Sequence, residues 1–195
     1  MGYGPQPNEV IERLQALKPT VVLMGNHDNA VVTGDVEDFS PHAAEAIKWT
    51  RRTISEPSLA YLRELQPSAR SELEGKTLAI FHGSPGDPLF EYVYPDISDR
   101  MKRALVNMAK AEIVLLGHTH IPMLYKINGD TLANPGSVGQ PRDGDNRASF
   151  AILTVTPSQT TFEIHRVAYD VRPVADRIIG SGLPAFLAER LYIGM

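Results

Sequence analysis

The sequence predicts an α/β fold: two packed mixed β-sheets flanked by helices. Through residue 116, short apolar runs of strand length alternate with stretches of helical periodicity. Beyond that point the pattern turns to strand after strand, with Asn128-Gly129 placed as a hairpin turn. No internal repeat, low-complexity stretch or linker interrupts the 195 residues, so one domain covering residues 1–195 is expected.

Each element has a local signature. Gly2 to Pro7 is turn chemistry, and Val10, Ile11, Leu14 and Leu17 follow at helical spacing, with Asn8 as N-cap and Pro19 as terminator. Thr20 to Met24 reads as a buried strand that delivers the polar loop Gly25-Asn26-His27-Asp28. Ser40-Pro41 opens a helix, and another begins near Ser58 with Leu59, Leu62 and Leu65 on one side. Lys76 to Phe81 is a strand ending in His82-Gly83-Ser84-Pro85. Ser98 caps a helix expected to turn Met101, Leu105 and Met108 to one face, and Glu112 to Leu116 is a strand delivering Gly117-His118-Thr119-His120. Strands are then expected at Met123 to Ile127, Thr131 to Ala133, Ala148 to Val155 and Thr160 to Val167, before a closing helix from Asp170 to Ile179.

Composition narrows the function classes. A formal net charge of -4 offers no cationic surplus to a nucleic-acid backbone, so nucleic-acid binding is not indicated. With no cysteine there can be no disulfide, thiolate zinc site or cysteine nucleophile. The apolar runs fall far short of a membrane span, and the N-terminus lacks the basic and apolar regions of a signal peptide. A cytoplasmic protein is expected.

The chemistry concentrates at strand ends. Of the 6 histidines, all but His42 and His165 lie in the three motifs that follow predicted strands. A lone histidine at such a position is ordinarily a hydrogen-bonded structural residue, but strand ends of one sheet are neighbours in space. A His-x-His pair can aim both rings at one locus only from a bent loop, which Gly117 and Pro122 favour. Imidazole and amide oxygen suit Mn, Fe, Zn or Ni. The His-x-His motifs of metallo-β-lactamases and amidohydrolase barrels differ in flanking sequence or chain position.

Gly25-Asn26-His27-Asp28, His82-Gly83 and Gly117-His118-Thr119-His120 resemble, in order and spacing, the later motifs of the calcineurin-like metallophosphoesterase superfamily. Gly2-Tyr3-Gly4-Pro5 and Asn134 to Arg142 are similar to its small bacterial and archaeal branch, related to diadenosine tetraphosphatases and phosphodiesterases. The resemblance implies an αββα sandwich that hydrolyses phosphomono- or phosphodiesters at a dinuclear metal site through a bridging hydroxide, with Mn²⁺ favoured. It implies Asn26, His82 and His118 as ligands of one ion and His120 as a ligand of the other. His27 would be the acid or charge stabiliser at the leaving oxygen, and Asp28 would orient it. Arg142 is a candidate substrate contact, with a surface arginine after a turn as the alternative. The implied substrate is a phosphorylated small molecule or nucleotide.

The family's first two motifs, Asp-x-His and Gly-Asp, belong upstream of Gly2-Tyr3-Gly4-Pro5, whereas this sequence starts at Met1. The chain is therefore expected to be N-terminally incomplete, short of two aspartates and a histidine, with weakened two-metal binding and doubtful activity as it stands. Met1 is read as an internal GTG codon taken for a start. The alternative function is a non-catalytic protein-binding scaffold of the same fold, disfavoured by the presence of His27.

Overall fold

The computed structural model describes residues 2–195, and the expectation concerning Met1 lies outside the described residues. In chain order it forms α1 (Pro7–Leu17), α2 (Asn26–Thr33), α3 (Pro41–Thr53), α4 (Glu56–Glu64), β1 (Ser68–Leu73), β2 (Lys76–Phe81), α5 (Asp99–Ala109) and β3 (Ile113–Leu115). There follow β4 (Met123–Ile127), β5 (Asp130–Asn134), β6 (Ala148–Val155), β7 (Thr160–Val167), α6 (Arg172–Gly180) and α7 (Phe186–Ile193). These elements make two compact units, the described residues through 66 with 170–192 and residues 67–169 with 193–195.

The first unit is helical. Ser40 and Ser55 cap α3 and α4 by accepting the Ala43 and Ser58 amides, and prolines occupy the opening turns of both helices. One core gathers Ile11, Ala30, Val31, Ile47 and Leu62; a second packs Ala46 against Ala175, Ile178, Leu187 and Leu191. Asn8 is not the cap expected of it. Its side chain instead donates to Thr53 O and accepts from Ser55 N, tying α1 to the α3–α4 connection.

Thr20 to Met24 is not a strand. Leu23 makes a single parallel bridge to Gln66, with Met24 N donating to Gln66 O at 2.9 Å. A strand needs neighbours for its edges, and among the described residues this segment makes only that one β-bridge. The polar run that follows is not a loop either, since Asn26 already starts α2.

The second unit holds both sheets. Five strands lie in the order β1-β2-β3-β5-β4, with β2, β3 and β5 mutually parallel and β1 and β4 antiparallel at the edges. The second sheet is the antiparallel pair β6-β7 alone, not a mixed sheet, among the described residues. Ala79, Val114 and Leu132 on the three parallel strands are fully buried, and Leu105, Val106 and Ala109 of α5 pack on them. The expected Met face of α5 points outward: Met101 and Met108 are exposed, and Lys102 is buried in their stead, its ammonium 3.5 Å from the Tyr125 ring centre.

Candidate metal centre

The parallel strands decide what meets. Because β2, β3 and β5 run the same way, their C-terminal ends share one edge of the sheet, where ligands bind in open α/β sheets. β2 delivers His82, β3 delivers His118 and His120, and β5 ends at Asn134. The connection from β3 must cross the end of β5 to reach β4 on the far side. Asn134 sits under that crossing, fully buried. Its amide donates to Gly117 O at 2.7 Å and Thr119 Oγ1 at 3.1 Å while its Oδ1 accepts from Gly136 N.

The crossing loop is sharply bent. His118 and His120 have φ of 63° and 62°, left-handed values that cost an L-residue of order 1–3 kcal/mol each and cluster at functional sites. Gly117 N donates to His82 O at 3.0 Å, which locks the loop to the end of β2. Both rings are thereby aimed from a loop of the kind that the His-x-His spacing demands.

Backbone carbonyls fix the protons. His118 Nε2 lies 3.1 Å from Phe90 O, and a carbonyl can only accept, so that nitrogen carries the proton and Nδ1 the lone pair. His120 Nδ1 lies 2.8 Å from Gln140 O, which leaves Nε2 as its lone-pair nitrogen. His82 Nε2 is 3.1 Å from His118 Nδ1. Burial is the largest influence depressing the basicity of both loop histidines, with Phe90 O opposing it and the charge of Arg142 adding to it at His118. At His120, burial and then Arg142 bring the pKa down to about 3. Neutral imidazoles with defined lone pairs are what a divalent cation requires.

These residues fit a metal in part. Two nitrogens at the His82–His118 separation suit one ion bonded at about 2.0–2.1 Å. Among the described residues, no three His, Cys, Asp or Glu side chains form a cage by themselves. Arg142 donates from Nε and Nη2 to Gln140 Oε1, so it braces the segment that holds His120.

In the helical unit, Asn26, His27 and Asp28 form the first turn of α2. Asp28 Oδ2 accepts the Gly25 amide at 2.8 Å and fixes that turn. The His27 ring packs 4.2 Å from Tyr3 and edge-on to Phe39 at 5.0 Å. A Cβ on Gly2, which has φ of 125°, would come within 2.5 Å of His27 Nδ1, so Gly2 must be glycine for the ring to sit there.

Sequence reasoning missed the residues that hold the histidines. Phe90 and Gln140 act through backbone carbonyls, which leave no side-chain signature, and the Asn134-Pro135-Gly136 turn was the one available signal. Asn134→Ala should lower stability by about 2–4 kcal/mol, read from urea unfolding, because it strands buried partners on the crossing loop. It should also weaken Mn²⁺ binding by roughly 10–100-fold. Unchanged binding in a folded variant would show that the loop holds its shape without Asn134.

The sequence and fold find counterparts among known proteins. The sequence matches the calcineurin-like phosphoesterase superfamily domain over residues 4–158. An uncharacterized protein of Methanocaldococcus jannaschii, MJ0912, is 33% identical over 211 residues, spanning 100% of this chain and 83% of the relative. A metallophosphoesterase from Sphaerobacter thermophilus superposes with a TM-score of 0.84 at 31% identity, over 100% of this chain and 85% of that one. The hypothetical protein PH1004 from Pyrococcus horikoshii OT3 gives 0.90 at 24% identity, over 100% and 82%, a likeness of fold alone. With its family domain matched over residues 4–158 and its fold shared end to end, this chain belongs to the calcineurin-like phosphoesterase superfamily.

Proposed function

We propose that the domain hydrolyses phosphomono- or phosphodiesters at a dinuclear divalent-metal site, with Mn²⁺ the favoured ion. The observation that supports it most is the pairing of His82 Nε2 with His118 Nδ1 at 3.1 Å at the C-terminal edge of parallel strands, with burial lowering the basicity of His118. His82 and His118 serve one ion, and His120, through Nε2, serves a second. Asn26 adds an amide-oxygen ligand. When bound, such ions polarise the phosphoryl oxygen and make water nucleophilic at neutral pH.

The protein's own groups do the rest. His82 must carry its proton on Nδ1 once Nε2 is a ligand, whereas His118 and His120 already present lone pairs because Phe90 O and Gln140 O hold their other protons. His27 supplies a proton to the leaving oxygen, and Asp28 fixes the turn from which His27 projects. Arg142, a guanidinium close enough to depress both loop histidines, offers charge to the phosphate oxygens. No helix among the described residues is long and apolar enough to cross a membrane, and a cytoplasmic enzyme acting on a phosphorylated small molecule or nucleotide fits this reading.

The test pairs p-nitrophenyl phosphate with its bis ester. Both are assayed on the 195-residue chain and on a form extended in frame upstream through Asp-x-His and Gly-Asp codons, where the DNA encodes them. Mn²⁺-dependent turnover of either ester, abolished by chelation, is expected. Bound Mn²⁺ without any turnover would reject hydrolysis and favour the scaffold.

A further inference from the structure

The segment that holds His118 also carries an aromatic surface. From Phe90 to Tyr94 only Val93 is buried, in the core of the sheet unit, while Phe90, Tyr92 and Tyr94 are each close to half exposed and Glu91 is exposed as well. The exposure does not come from a loose loop. Phe90 O is held by His118, Pro95 O accepts from the Tyr125 hydroxyl, and Val93 anchors the middle. The Tyr92 ring lies 3.7 Å from the His118 ring centre, and Tyr94 stacks on Tyr92 at 5.8 Å with only 8° between their planes. A continuous π surface therefore starts on an imidazole of the metal centre and runs outward.

We propose that Tyr92 and Tyr94 form a stacking platform for a planar aromatic group carried by the substrate, so that the site favours phosphoesters bearing a nucleobase or an aryl ring. The inference rests on the phosphoester reading of the histidine centre, because that reading places the phosphate end. An exposed tyrosine stack gives large, rigid contact area at little cost in side-chain entropy, and offset stacking on its outer face needs no specific ring edge. Continuity with His118 selects the occupant. A group tethered to a phosphate at the centre reaches the platform, whereas an untethered partner gains nothing from that adjacency. Tyr92 touches a proposed ligand, so Tyr94 is the residue whose loss reports on stacking alone.

The test is isothermal titration of the full chain, with and without Mn²⁺, using adenosine 5′-monophosphate, phenyl phosphate and ribose 5-phosphate. The ring-bearing ligand should bind about 5- to 100-fold tighter than ribose 5-phosphate. Tyr94→Ala should erase most of that ratio and Tyr94→Phe should keep it. Phenyl phosphate tracking the nucleotide would mean that any planar ring suffices; phenyl phosphate tracking ribose 5-phosphate would mean that a nucleobase is required. Equal affinities for the nucleotide and ribose 5-phosphate, no binding of any ligand, or a ratio untouched by Tyr94→Ala would overturn the platform. Binding is read without turnover, so a ring preference that persists in a protein unable to hydrolyse esters would remove the catalytic reading and leave the platform standing.

Discussion

His27→Ala is expected to lower kcat roughly 10²–10⁴-fold in the Mn²⁺-loaded enzyme while leaving the bound metal unchanged. The imidazole is fixed by contacts on several sides: Tyr3 and Phe39 flank it, Gly2 leaves room for it, and the Gly25–Asp28 hydrogen bond sets the turn that carries it. A proton donor matters most when the departing oxygen is basic. The defect should therefore be larger for an alkyl ester than for p-nitrophenyl phosphate, whose leaving group needs little help. Packing loss alone would cut both substrates equally. A near-wild-type rate on the alkyl ester would remove His27 from the acid role.

His118→Ala should weaken Mn²⁺ binding by at least roughly 10²-fold and take hydrolysis with it. Three links fail together: the Nδ1 lone pair proposed for the ion, the bond to Phe90 O, and the ring on which Tyr92 rests. His82→Ala removes one proposed ligand and leaves the other two links in place, so it should bind Mn²⁺ weakly with the Phe90–Tyr94 segment intact. Metal titration followed by mass spectrometry of the bound ion measures both variants. Full Mn²⁺ affinity in either one would refute the shared-ion assignment.

The residues that punctuate the chain made much of this legible. Ser40 and Ser98 cap where their hydroxyls can reach an amide three residues on, and Asn128-Gly129 turns because both residues adopt positive φ. The strand-forming runs set β6 and β7 to the residue, and along β6 burial alternates as a pleated strand requires. β1 was missed although Glu74-Gly75, with φ of 50° and 78°, marks the same kind of two-residue turn; its polar sequence, Ser-Ala-Arg-Ser-Glu-Leu, hid the strand. Thr20 to Met24 has strand composition yet makes a single bridge among the described residues, and composition cannot report a missing neighbour. On α5, reading methionines as the inward face failed because Lys102 buries its stem and satisfies its charge at Tyr125 and Asp99. The site followed the same division. Histidines at strand ends announce themselves by spacing, whereas the carbonyls that set their tautomers belong to Phe90 and Gln140, whose identities carry no such message.

The position of β5 between β3 and β4 ties the metal centre to the completion of the sheet. The span from Leu116 to Pro122 is a bridge whose pier, Asn134, is the last residue of the strand it crosses. A change that displaces the β4–β5 hairpin therefore takes the support from Gly117 and Thr119, the residues on either side of His118.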